Sequence, residues 1–254
     1  ALTRQEQDAV AEASHRRAAA AQSAGILAEE ITPVRIPQRK GDDIVVTDDE
    51  GIRVETTAES LGRLRPAFAP EGTITAGNAS QISDGAAALV VTSRAAAERL
   101  DRTPMAFLGS HGGVAGPDPS LHEQPAAAIE AACAKEGISV SDLDLVEINE
   151  AFAAVAVASM KRLGIDDSRL NVNGGAIALG HPIGMAMCGV NHDHVHAGIR
   201  ERFGTLKPRI PHRGCSRHAQ PPQMVLTRGR VQHGLLGVLE RQQVSCPPVL
   251  LHLF

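Results

Sequence analysis

The chain has 254 residues, 43% of them hydrophobic, and a formal net charge of −4, enough apolar material for a real core in one or two domains. The mild acidic balance provides no long-range field for phosphate, and 2% aromatic content with no Trp or Tyr offers little stacking surface, so nothing points to nucleic-acid recognition. Four cysteines (Cys133, Cys188, Cys215 and Cys246) form no CxxC pair or metal spacing, no signal-peptide pattern is present, and the longest apolar stretch, 151–160, is too short for a bilayer; the expectation is a cytoplasmic protein with reduced thiols, no metal and no membrane partner.

In chain order, Thr3-Arg4-Gln5-Glu6 is a capping-box pattern ahead of an alanine-rich helix that Gly25 stops. On that helix His15, Arg16 and Arg17 read as a solvated face. Short strands are expected at 31–36 and 43–47, a turn at 48–51, and a second helix cap at Thr56 to Glu59 before 61–64. The segment 73–84, TITAGNASQISD, is rich in turn and cap formers, and 86–91 has the continuous apolar pattern of a buried strand. A helix at 94–100 and a strand at 105–109 follow, then a Gly- and Pro-rich loop in which His111 and His122 read as surface residues.

From residue 126 the pattern becomes regular. Helix 126–135 stopped by Gly137, strand 143–148, helix 151–162 stopped by Gly164, and the end of a strand at 170–173 make a βαβ series. Such alternation implies a mainly parallel sheet with helices on both faces, and ligands at the carboxyl ends of its strands. Asn149 and His181 both fall at such ends. The stretch 171–185, NVNGGAIALGHPIGM, turns at Gly174-Gly175 and presents His181 between Gly180 and Pro182, where proline suits the first turn of a following helix. An imidazole at a helix N-terminus tends to stay neutral and can serve as a base, although a turn histidine with no duty reads equally well from these residues alone. Asn149, at a strand-to-helix junction, is a helix cap or a group that orients a water or carbonyl. Glu147 and Glu150 could be paired carboxylates, but their spacing across a strand end does not aim both at one point, and the reading carries little weight.

NEAFA at 149–153 and GHP at 180–182, with 32 residues from Asn149 to His181, closely resemble the thiolase family of acyl-CoA acyltransferases. The resemblance runs from near Ala1 to Met185 and implies an α/β, thiolase-like layered fold, present incompletely. It divides the chain into a remnant of the loop domain at 1–72, the end of the N-terminal half at 73–101, a truncated C-terminal half at 102–185, and a non-family tail at 186–254. It also implies transfer of an acetyl or acyl group between CoA thioesters through a cysteine acyl-enzyme. In that scheme His181 is the base, and Asn149 fixes a water that with the histidine forms an oxyanion hole. Ser80, in the GNAS segment, contacts the pantetheine arm of CoA, and Phe152 packs in the core while walling the acyl-CoA tunnel. The resemblance further implies CoA and acyl-CoA as substrates, no cofactor or metal, and a homo-oligomer when the protein is intact.

The chain departs from the family in two places. A Met-Gly-x-Gly-Pro sequence expected near the 110–119 loop is missing, and after Met185 the expected Ser-Gly-Ala-Arg and Cys-x-Gly-Gly-Gly sequences do not occur. In 186–254 basic residues outnumber acidic ones nine to three, and seven of the eleven histidines gather there. The expectation is an out-of-frame, poorly ordered tail. Alternation in His192-Asp193-His194-Val195-His196 could align three imidazoles for a metal, but no carboxylate cluster supports it. Cys133 sits in an ordinary helix and Cys188 begins the aberrant tail; the resemblance implies that the nucleophilic cysteine belongs to an N-terminal half upstream of this chain. The alternative reading is a non-catalytic thiolase-like module that binds acyl-CoA or a partner subunit.

Overall fold

The computed structural model describes residues 2–118 and 120–183, together with two short strands at 225–226 and 252–253. Helix α1, Arg4–Ser23, begins at the expected capping box: the Thr3 hydroxyl accepts from the Glu6 amide at 3.2 Å, and the Glu6 carboxylate accepts from the Thr3 amide at 2.9 Å. The alanines Ala11, Ala18 and Ala21 are buried, which lets α1 lie close against α2 (Ala58–Gly62), α5 (Ala153–Leu163) and α6 (Ala176–Leu179).

Helix α5 is the centre of the core. Every residue from Ala153 to Ser159 is buried, so the helix is covered on all sides. Val155, Val157, Ile129, Ile148, Leu170 and Ile177 form one cluster there, reaching α4 (Gln124–Glu136) and strand β5 (Glu147–Ile148). Helices α4 and α5 end at Gly137 and Gly164, as the sequence indicates.

The strands are shorter than read. The hairpin β1 (Val34–Ile36) and β2 (Ile44–Val46) pairs antiparallel. Strands β3 (Val91–Thr92) and β4 (Ala106–Phe107) flank β6 (Val225–Leu226), and β5 pairs in parallel with β7 (His252–Leu253). A parallel bridge from Val146 to Leu170 extends the layer around β5, and another joins Ile82 to His181. This mixture of helices and short strands is a partial α/β fold.

Two readings are corrected. Residues 86–90 have no regular structure and are not buried, with Leu89 64% and Val90 72% exposed. Their apolar run needs cover on both faces, which nothing among the described residues supplies. His15 is not on a solvated face: it is buried, its Nδ1 accepts from the Arg53 amide at 3.1 Å, and the loss of hydration pushes its pKa down. Arg17 is also turned inward, donating to the Leu170 carbonyl at 3.0 Å and to Asp167. The expected disorder and metal reading of the tail lie outside the described residues, apart from β6 and β7.

Candidate active site

Three segments distant in sequence meet at one place. The first is the end of β5 with its NEAF motif. The GNAS segment is threaded beside it: the Ser80 amide donates to the Ala151 carbonyl at 3.1 Å, Ala79 bridges Phe152, and the Asn78 carbonyl accepts from the Ala153 amide at 2.8 Å. That last bond satisfies a buried N–H in the first turn of α5 that has no partner within the helix, which lacks a side-chain cap. The Asn78 side chain, fully buried, donates to Asp8 on α1 at 2.8 Å and holds the segment from below.

The third segment, 171–183, carries His181. Its backbone amide donates to the Gln81 carbonyl at 2.7 Å, and the Gln81 amide nitrogen donates to the carbonyls of Ile177 and Ala178 at the end of α6. His181 thus follows directly on Gly180, the C-cap of α6. Helix α6 itself, between the glycine pair and the histidine, was not read from sequence.

The arrangement brings the Asn149 Nδ2 to 3.2 Å from the His181 Nε2, with both side chains half-buried. When the amide donates, Nε2 is the unprotonated nitrogen and is able to take a proton. When Nε2 carries the proton, the two N–H groups lie side by side and can both donate to one oxygen. The pair therefore has the donors for an oxyanion and the lone pair for a base.

Ser80 and Phe152 lie in the two segments that border this pair. The Ser80 hydroxyl donates to the Ala151 carbonyl at 3.2 Å and is half-buried. Phe152 packs at the edge of the core and meets Phe68 edge-on, with ring centres 6.0 Å apart. Cys133 is the free cysteine among the described residues; it is buried in α4, where burial and then Asp142 push its thiol pKa up, the reverse of what a nucleophile needs. Among the described residues no group of three or more His, Cys, Asp and Glu side chains is placed to hold a metal ion, and no helix is long and apolar enough to cross a membrane.

Beneath the pair lies a buried polar layer. Glu150 is 2% exposed and Asn171 1%. Asn171 has φ +46° and fastens both backbone groups of Ile148, accepting from its amide and donating to its carbonyl at 2.8 Å each. Asparagine tolerates this left-handed conformation better than most residues, and that was the one available sequence signal for its role. Burial raises the Glu150 pKa, opposed by hydrogen bonds from Asn171, Ser14 and the Ile177 amide. Glu147, half-buried, is pushed up to about 7 by burial first and then by Glu150 and Glu30. Glu150 thus acts electrostatically on Glu147, while its own carboxylate is held by Asn171, Ser14 and the Ile177 amide.

Comparison with known proteins agrees with the motifs. The family profile "Thiolase, N-terminal domain" matches residues 1–95, and "Thiolase, C-terminal domain" matches 102–204, further than the end at Met185 read from the motifs. The chain belongs to the thiolase family. It is 62% identical over 185 residues to a probable acetyl-CoA acetyltransferase of Mycolicibacterium smegmatis, covering 73% of this chain and 48% of that protein. It is 47% identical over 210 residues to an acetyl-CoA acetyltransferase of Chromobacterium violaceum, covering 81% and 53%. The crystal structure of the Bacillus anthracis acetyl-CoA acetyltransferase superposes with a TM-score of 0.69 at 41% identity, covering 79% of this chain and 50% of that one. The chain thus spans about half the length of the curated relatives it matches.

Proposed function

We propose that this chain supplies the Asn149–His181 side of a thiolase-type acyltransferase site, acting on CoA and acyl-CoA thioesters. The 3.2 Å contact between the Asn149 amide and the His181 imidazole carries this reading. His181 takes the proton of an attacking thiol, and the two N–H donors stabilise the oxygen of a thioester carbonyl as negative charge develops on it. Ser80 contacts the pantetheine arm, and Phe152 forms part of the acyl-CoA wall. The names of the relatives, acetyl-CoA acetyltransferases, support acetyl-CoA among the substrates. The assembled enzyme is a cytoplasmic homo-oligomer.

The thiolate that forms the acyl-enzyme is not Cys133, which is buried with a raised pKa. By resemblance the family's nucleophilic cysteine lies in the part of the relatives outside this match, and on that reading the 254-residue polypeptide assayed alone should give no thiolysis of acetoacetyl-CoA. Joined to the part of a relative that lies outside its match, it should gain that activity, and His181→Ala should then remove most of it. Activity of the joined protein that survives His181→Ala would refute the assignment. A joined protein that binds CoA but never turns over would instead favour a non-catalytic binding module.

A further inference from the structure

We propose that Glu150 is a positioning residue for His181. It stands next to Asn149, yet its side chain is buried and bonds the segment that leads to His181 and not the imidazole itself. The carboxylate accepts from three directions: Asn171 Nδ2 at 2.8 Å, the Ser14 hydroxyl on α1 at 2.7 Å, and the Ile177 amide in the first turn of α6 at 3.1 Å. Ser14 in turn accepts from the Gly175 amide at 3.1 Å. The loop closes around the carboxylate so tightly that a Cβ at Gly175 would stand 2.3 Å from the Glu150 carboxyl carbon.

These bonds fix both ends of a short path. Asn171 starts it, Ile177 lies in the first turn of α6, Gly180 caps that helix, and His181 follows directly. Residues 149 and 150 thus act on the same imidazole, one by touching it and the other by holding the turn and helix that deliver it. Among the described residues no cation lies within ion-pair distance of the carboxylate, so its anchoring depends on neutral donors with fixed directions. A glutamine of the same shape presents an NH2 group to at least one of these donors and cannot keep all three bonds.

The inference rests on the reading of Asn149 and His181 as the reacting pair, but its test does not use activity. The full chain is labelled with 15N-histidine, and the His181 ring nitrogens are identified as the signals lost in His181→Gln. Asn149→Ala defines the shift that accompanies loss of the contact. Glu150→Gln should move the His181 signals in the same direction, while circular dichroism shows a folded protein. Ser14→Ala, which removes one donor and leaves the carboxylate, should move them the same way by less. Either folded variant with a lowered melting temperature and unmoved His181 signals would overturn the proposal, because a purely structural role predicts that outcome. Should Glu150→Gln fail to fold, Ser14→Ala decides alone.

Discussion

Glu147 carries a charge that the fold does not welcome. Its pKa is pushed up to about 7 by burial, Glu150 and Glu30, against an ordinary value near 4.5. In the unfolded chain it ionises near its ordinary value, so the protonated form stabilises the fold fully below about 4.5, and that contribution is lost as pH rises through about 7. A shift of this size corresponds to at most ~3 kcal/mol, and less where water still reaches the group. Glu147→Gln should therefore raise the melting temperature at pH 8 and leave it nearly unchanged at pH 4.5; an equal gain at both would contradict the origin given. Gly175→Ala belongs to the same scale. Its methyl group would collide with a buried carboxylate, and overpacking should cost about 1–3 kcal/mol in urea denaturation. The glycine pair was legible in the sequence as a turn. Its reason was not, because Glu150 and α1 are brought there only by the tertiary fold.

Between elements, α1 does the most to unite the chain, and its two ends show what sequence can and cannot tell. The Thr3 cap was legible because a capping box is local. The inward side of the helix was not, because alanines occur on both faces: Ala11 and Ala18 are buried while Ala9 and Ala20 are exposed, leaving little contrast for periodicity to find. Arg17 was misread for this reason. Its bonds to Asp167 and the Leu170 carbonyl secure the connection after α5, so Arg17→Ala should lower stability by about 1–2 kcal/mol. The Arg63–Glu59 pair, with both side chains exposed, is the natural control, and Arg63→Ala should change the denaturation midpoint little. Comparable losses in the two variants would show that the Arg17 contacts are no more than a surface pair. The strand readings failed differently. An apolar run at 86–91 records a demand for cover, whereas the structure leaves Leu89 and Val90 exposed.

For the whole molecule, the site was more legible than the sheet. NEAF, GHP and GNAS are short, and their resemblance to the family implied a shared location; backbone hydrogen bonds join GNAS to NEAF and Gln81 to His181, and a side-chain contact joins Asn149 to His181. The length of each strand was set by neighbours that periodicity does not reveal. The central claim is that Asn149 and His181 act as one unit on the thioester oxygen. It is tested most directly by a double-mutant cycle on acetoacetyl-CoA thiolysis, in the chain joined to the part of a relative outside its match. Loss of one oxyanion donor costs on the order of 3 kcal/mol, so Asn149→Ala should slow turnover by about two orders of magnitude. If the pair is one unit, the double variant should lose scarcely more than His181→Ala alone; losses that multiply in full would show two independent residues and contradict the account.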